Sequence, residues 1–413
     1  MLMEDVQVAI VGAGLVGLAT ARAIVRRYPN HRVVVLDKEA EVATHQSGHN
    51  SGVIHAGLYY QPGSLRARLC LKGRLMLEQY CEQHGVHYER CGKVVVATDE
   101  SERERLLNLA HRALQNGIHV RPLGPGELRE YEPHASGVAA LHSPETGIAD
   151  YKGLARSLRD ELVKSGARIV TGARLTGLSR RADEQVLHTT AGDVRARWVI
   201  TCAGLYADEV ARTCGVDPQV RIVPFRGEYY DLKPERQSLV RNLIYPVPDP
   251  RFPFLGVHLT RMVGGGVEAG PNAVLAFARE GYKRHNVNVG ELANTLRYPG
   301  FWRLAARYPT VGAYEMYRSL VKNEFTRSLQ RLVPEITSAD LVPGGSGVRA
   351  QALDPNGRIL DDFAIHESAK ALHVLNAPSP AATACLAIGE HLSQLAAHNF
   401  SWQSPAAPVG LSS

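Results

Sequence analysis

The sequence predicts an α/β protein of two domains, one of them a dinucleotide-binding fold of the Rossmann type and the other an α+β unit. Three observations carry this. Residues 6–37 run strand, glycine turn, helix, strand and acid; the 413 residues exceed one simple domain; and apolar strands later alternate with amphipathic helices.

Residues 6–11 read V-Q-V-A-I-V, an apolar run of the kind buried on both faces of a parallel sheet. It enters G-A-G-L-V-G, where Gly12 permits a tight turn, Gly14 lets the backbone approach a pyrophosphate, and Gly17 permits close helix–strand packing. Leu15, Leu18, Ala19, Ala21, Ala23 and Ile24 then form a small apolar helix face, which Pro29 and Asn30 end. A second strand closes at Asp37, placed to accept from ribose hydroxyls. The expected cofactor contacts of this unit are Gly12, Gly14, Leu15, Val16, Gly17, Asp37 and Lys38. The glycine motif does not separate FAD from NAD, and Asp37 would repel the 2'-phosphate of NADP.

A helix is expected through Leu65, Leu69, Leu75 and Tyr80, a strand at Val94 to Val96, and a charged helix over 100–116. An amphipathic helix follows Asp150, and the apolar strand at 194–200 ends in a small turn at Ala203 and Gly204 that suits a return to the nucleotide sheet. Residues 220–267 read as strands and 275–332 as mostly helical. A turn is expected at Gly344-Gly345-Ser346-Gly347, then a strand at 372–375 and a helix near Ala381. The resulting division assigns 1–90, 149–215 and 346–400 to the cofactor domain, 91–148 and 216–345 to the substrate domain, and 401–413 to a flexible tail.

The net charge of +6 is dispersed, which argues against nucleic acid and is compatible with an anionic substrate or the anionic face of a membrane. The six cysteines form no C-x-x-C pair, so neither a disulfide framework nor a metal site is expected. No stretch of eighteen apolar residues occurs, and the first strand begins too early for a leader; a cytoplasmic protein without a transmembrane segment is expected.

Several blocks carry a resemblance over nearly the whole chain. They are residues 44–57 (T-H-Q-S-G-H-N-S-G-V-I-H-A-G), 224–229 (P-F-R-G-E-Y), 254–258 (F-L-G-V-H), 270–273 (G-P-N-A), 347–351 (G-V-R-A-Q) and 376–383 (N-A-P-S-P-A-A-T). Their order resembles the D-amino-acid oxidase and glycine oxidase superfamily, and within it the L-2-hydroxyglutarate dehydrogenases and oxidases. The resemblance implies a non-covalently bound FAD, and oxidation of a hydroxy dicarboxylate with electrons passed to a quinone, oxygen or another acceptor. Peripheral attachment at the inner face of the cell membrane would suit a quinone acceptor.

Such chemistry requires a base for the C2 hydroxyl and partners for two carboxylates. His55 is the expected base, on the premise that its pKa stays near the ordinary value. Arg349 is the expected carboxylate ligand, because G-V-R resembles the superfamily's G-x-R-P element, with Ala350 in place of the proline. Arg226, Tyr229, Tyr245, His258 and Asn272 are candidates for the distal carboxylate, each also readable as an ordinary strand residue. The expected flavin contacts are Ser47, His49, Asn50, Ser51, Gly52, Leu175, Ala203, Gly204, Gly347, Pro378, Ser379, Ala381, Ala382 and Thr383; the S-G-H-N-S-G run is otherwise an Asx turn. His45, His49 and Cys385 are the positions to check for covalent flavin attachment. The residues alone leave two rivals open: an amine or amino-acid oxidase on the same scaffold, and a non-catalytic FAD-binding protein. The aromatic and basic segment 301–332 reads as a solvated helical face or as a membrane or quinone contact.

Overall fold

The computed structural model describes residues 2–181, 183–249 and 255–403. Two large sheets organise it. In the first, strand Leu2–Val11 lies between Val33–Leu36 and Gly192–Thr201 and is parallel to both. Val11 pairs with Leu36 on one side and Thr201 on the other, so three carboxyl ends finish together. This is the switch point at which an open parallel sheet leaves a crevice for a ligand. Ala371–Asn376 adds to Gly192–Thr201, so the last strand returns to the first sheet. Helix Leu15–Arg27 packs between Tyr151–Lys164 and Ala381–Asn399, and its small residues allow the close approach: a Cβ on Gly389 would stand 2.4 Å from the Ala19 backbone.

The second sheet has nine strands among the described residues and is mostly antiparallel, with Arg221–Leu232 and Leu341–Leu353 as its longest pair. Lys93–Ala97 lies between Leu243–Pro246 and Ala139–Ser143. Its alternating side chains feed two cores: Val94 and Val96 face Phe325 and Leu329, while Val95 and Ala97 face Leu106 and Tyr245. A small third sheet joins Val53–Ile54, Gly147–Ala149 and Tyr88–Glu89.

Three expectations need correction. The glycine run 344–347 is no turn but the interior of strand Leu341–Leu353, where missing side chains admit neighbouring backbone; a Cβ on Gly347 would lie 2.6 Å from the His49 carbonyl. Helix begins only at Val289–Leu296, since Asn288 caps it and the polar segment before it folds on itself, Lys283 N–H donating to Asn286 Oδ1. The tail is packed as far as it is described: Trp402 is buried edge-on to Tyr28 and His31 at 5.1 and 4.7 Å, because the apolar floor beneath Trp198 needs a cover. Residues 404–413 lie outside the described residues.

Candidate active site

A cavity of about 930 Å³ runs from the crevice of the first sheet to the face of the second. Its nucleotide end is built by the glycine turn. Gly12 has φ +111°, and a Cβ there would meet the Cys202 carbonyl at 2.4 Å, so only glycine serves. Gly17 lies against the Gly12 carbonyl, at 1.9 Å from an added Cβ; it packs the turn and does not line the cavity. Gly14 lines it, as do Leu15 and Val16.

Helix Leu15–Arg27 starts at Gly14 with no side-chain cap and no acid in its first turn, although Ser47 Oγ accepts from Leu15 N–H at 2.9 Å. Amide donors and the positive helix end thus face the cavity, as an anion requires. Asp37 also lines the cavity, with Oδ2 accepting from Ala13 N–H at 2.6 Å, so the acid holds the turn as well as facing the cavity. These residues fit a dinucleotide.

Lys38 reaches the cavity but is engaged elsewhere. Its ammonium donates to Glu39 and Glu280 and lies 3.0 Å from His45 Nε2. Glu39, His45 and Glu280 bring three potential metal-ligand atoms together, yet the lysine cation already stands among them. His45 is further tied to Tyr282 Oη at 3.0 Å, and His49 Nδ1 to the Ser346 carbonyl at 3.2 Å. Cys385 is buried in its helix away from the cavity wall.

Along the middle, Ser47, His49, Asn50, Ser51, Leu175, Ala203, Gly204 and Gly347 line the cavity. The Asx turn and the cavity wall coexist here: Asn50 Oδ1 accepts from Gly52 N–H at 2.9 Å, while Gly52 itself sits behind the wall. Pro378, Ser379, Ala381 and Ala382 line the opposite side, where helix Ala381–Asn399 begins without a side-chain cap or an acid. Thr383 instead turns into the protein, its hydroxyl accepting from His55 N–H at 3.1 Å and meeting Tyr151 Oη at 3.0 Å. It positions the His55 backbone, because one helical step past Ala382 points inward.

At the far end His55, Tyr59, Tyr60, Arg66, Tyr229, Tyr245, His258 and Arg349 converge. Burial holds the His55 pKa down at about 3, helped by Lys93, Arg66 and His258, so the premise of an ordinary imidazole is corrected. The ring is neutral at neutral pH and can accept a proton, but the resulting cation is disfavoured among three other positive or imidazole groups until an anion arrives. His258 is likewise lowered to about 3, first by burial; its Nδ1 lies 2.8 Å from the Gly256 carbonyl and its ring stacks on Tyr245 at 3.8 Å. Arg349 Nη1 donates to the Asn272 carbonyl at 3.4 Å and otherwise reaches the cavity.

Two expected substrate ligands are not at the cavity. Arg226 is buried against Glu228, 2.9 Å from Nη2 to Oε1, and against the Gly281 carbonyl. Asn272 accepts from Glu228 N–H and donates to Glu228 Oε2, both at 2.8 Å. An unpartnered Glu228 would be costly in this half-buried position, and both side chains satisfy it. Within the block 254–258, Phe254 lies outside the described residues.

Tyr59, Tyr60 and Arg66 also line the far end of the cavity, and Lys93 stands against Tyr59, although none of the four is expected there from the sequence. The two tyrosines lie one residue beyond the His55 block, after Leu58, and Lys93 is the single charge opening an apolar strand, K-V-V-V-A; both are visible signals.

Comparison with known proteins agrees with this architecture. The family described as FAD dependent oxidoreductase matches residues 7–395. The chain is 50% identical over 398 residues to the L-2-hydroxyglutarate dehydrogenase of Indibacter alkaliphilus, covering 96% of this chain and 100% of that protein. It is 43% identical over 399 residues to the mitochondrial L-2-hydroxyglutarate dehydrogenase of Homo sapiens, covering 92% and 86%. Its fold resembles the dithionite-reduced, FAD-bound L-alpha-glycerophosphate oxidase of Mycoplasma pneumoniae, with TM-score 0.79 and 22% identity over 98% of this chain and 97% of that one. Glycine oxidase from Geobacillus kaustophilus follows with TM-score 0.73 and 20% identity, over 96% and 95%. With a glycine turn, helix end and acid that suit its cofactor, the chain belongs to the FAD dependent oxidoreductase family.

Proposed function

We propose that this chain oxidises L-2-hydroxyglutarate to 2-oxoglutarate. The relatives' names supply the substrate, and one observation carries the reading: a neutral histidine, His55, and a guanidinium, Arg349, share one end of the cavity whose other end suits a dinucleotide. FAD, held without a covalent bond, would supply the acceptor for the C2 hydride. Arg349 holds one carboxylate by its planar fork. His55 takes the hydroxyl proton, and the negative charge of the bound dianion makes that proton transfer easier in a site already carrying Arg66 and Lys93. Tyr229, Tyr245 and His258 close the substrate end and exclude water.

The division into a cofactor domain (1–90, 149–215 and 346–400) and a substrate domain (91–148 and 216–345) belongs to the same proposal. It is supported by the two sheets, although strand Leu341–Leu353 crosses the boundary at 346.

The test is anaerobic flavin absorbance with L-2-hydroxyglutarate, its D enantiomer, glycine, sarcosine and glycerol 3-phosphate. Bleaching by the L hydroxy acid alone is expected; preference for an amine or for glycerol 3-phosphate overturns the assignment.

The electrons would pass to a quinone, oxygen or another acceptor, and a quinone acceptor would suit peripheral attachment at the inner face of the cell membrane. No helix among the described residues is long and apolar enough to cross a membrane. Supporting a peripheral contact, Trp302 is exposed on helix Pro299–Arg307 beside Arg303 and Arg307, and Tyr317 and Leu320 are exposed on the next helix, Pro309–Leu320. Sedimentation with anionic vesicles and reduction of a soluble quinone are the measurements; failure of both would remove the quinone arm.

A further inference from the structure

Lys93 opens a strand whose other residues are apolar, and the residue is only 1% exposed. An ammonium removed from water costs several kcal/mol unless something replaces its hydration. No carboxylate among the described residues does so. Lys93 Nζ instead donates to Tyr59 Oη at 3.2 Å and stands over the ring faces of Tyr59 and Tyr245, at 4.5 and 4.8 Å from their centres.

That geometry sets a direction. An ammonium has three donors and no acceptor, so the Tyr59 oxygen accepts from it and the Tyr59 hydrogen remains for another acceptor. Tyr59 lines the cavity at the end that holds His55, Arg66 and Arg349. Arg66 and Arg349 place positive charge at this end, where a substrate anion would supply the counter-charge.

We propose that Lys93 is a positioning residue for the substrate: it turns the Tyr59 hydroxyl into a donor toward the carboxylate remote from the reacting carbon, and that carboxylate completes its charge. The proposal rests on the assignment of a hydroxy dicarboxylate.

The surroundings of Lys93 agree with it. Tyr59 and Tyr245 face it from the loop beyond Ile54 and from the neighbouring strand, and burial keeps both phenols neutral. Cys70 faces it from helix Leu65–His84 as a thiol pushed up to about 12, and His55 and His258 are neutral, each at about 3. Desolvation lowers Lys93 itself to about 7. The sign is then determined: the ammonium is present below about 7 and is lost above it, so affinity for the anion falls as pH rises through that value. Glu268, raised by burial to about 7 beside Asp231, titrates in the same range, and a Lys93 variant separates the two.

The experiment uses FAD-loaded wild type, Lys93→Met, Lys93→Arg and Tyr59→Phe, reduced by L-2-hydroxyglutarate and by L-2-hydroxybutyrate, which lacks the remote carboxylate. In K93M and Y59F the KM for L-2-hydroxyglutarate should rise about 10- to 100-fold, the size of one lost charge-assisted hydrogen bond, with a smaller loss in kcat. The preference for the dicarboxylate should fall by a similar factor, the KM rise above pH 7 should vanish in K93M, and K93R should recover part of the preference. Methionine fills the same buried space without charge, so K93M is expected to fold; Y59F tests the same link without touching the lysine. Equal losses on both substrates, or an unchanged KM in both variants, overturn the proposal while leaving the substrate assignment intact. A wild type that L-2-hydroxyglutarate does not reduce overturns the assignment and this proposal with it.

Discussion

Arg279 and Asp208 meet in a two-point ion pair, with Nη1 to Oδ1 at 2.6 Å and Nη2 to Oδ2 at 3.0 Å, and both side chains are buried. Asp208 lies on helix Ala207–Thr213, which packs on Ala371–Asn376 of the first sheet, whereas Arg279 follows strand Val274–Leu275 of the second. The pair therefore ties the two halves of the cavity. Removing one partner leaves the other with its weaker ion pair only, Asp208 with Arg212 at 3.3 Å or Arg279 with Glu209 at 3.1 Å, so Asp208→Asn or Arg279→Met should cost about 1.5–3 kcal/mol in denaturant unfolding, the size of a hydrogen bond to a charged group. A loss below about 1 kcal/mol in both would mean that the pair does not join the halves energetically.

The three glycines of the turn should fail in different ways. Gly17→Ala forces a methyl onto the Gly12 carbonyl and should lower the melting temperature of the protein itself. Gly14→Ala meets only the Ser47 hydroxyl, at 3.0 Å, so the fold should survive while the methyl stands where the cofactor approaches. Flavin content after gel filtration, measured beside apoprotein stability, separates the two. Full flavin retention in G14A would contradict the placement of the pyrophosphate.

For the chemistry, His55→Ala should keep FAD and lose flavin reduction by about 10²- to 10⁴-fold, the range of a general base. Arg349→Lys should raise KM by more than tenfold, because a point charge does not replace a planar fork. Since the His55 pKa is about 3 in the free enzyme, kcat/KM should show no acid limb from this group between pH 5 and 7. Stopped-flow reduction across that range tests both residues, and near-wild-type reduction in either variant removes its role.

Stability should fall on the acid side. Burial lowers His373 to about 4, with Nδ1 3.1 Å from the Thr201 hydroxyl. Its folded value lies below the ordinary 6.5 of the unfolded chain, so the unfolded state binds more protons between these values and stability drops as pH falls from about 6.5 to 4. For His373 the loss is on the order of 3 kcal/mol. Thermal melts of the holoenzyme should show this decline, and His373→Gln should make it shallower, with His55 and His258, each at about 3, supplying the rest of the slope. An identical pH slope in the variant would show that His373 does not titrate on unfolding.

The unit from the first strand to Asp37 was legible because its constraints are local: strand, glycine turn, helix and acid occupy consecutive residues, and each follows from backbone conformation or burial periodicity. The return of Gly192–Thr201 to the first strand was legible too, since an apolar run ending in small residues has few other uses. The glycines 344–347 misled for a physical reason. Glycine marks both turns and close backbone contacts, and the contact partner, His49, is far away in sequence.

Consecutive residues thus carry the nucleotide unit, the alternation that builds two sheets, and the blocks that mark the family. Only the tertiary structure decided which polar side chains face the cavity. Arg226 and Asn272 turn to Glu228, and Thr383 to His55, while Tyr59 and Lys93 meet at the substrate end. The pKa of a histidine and the partner of a buried lysine depend on desolvation and on charges carried by distant segments, and these exist only once the chain has folded.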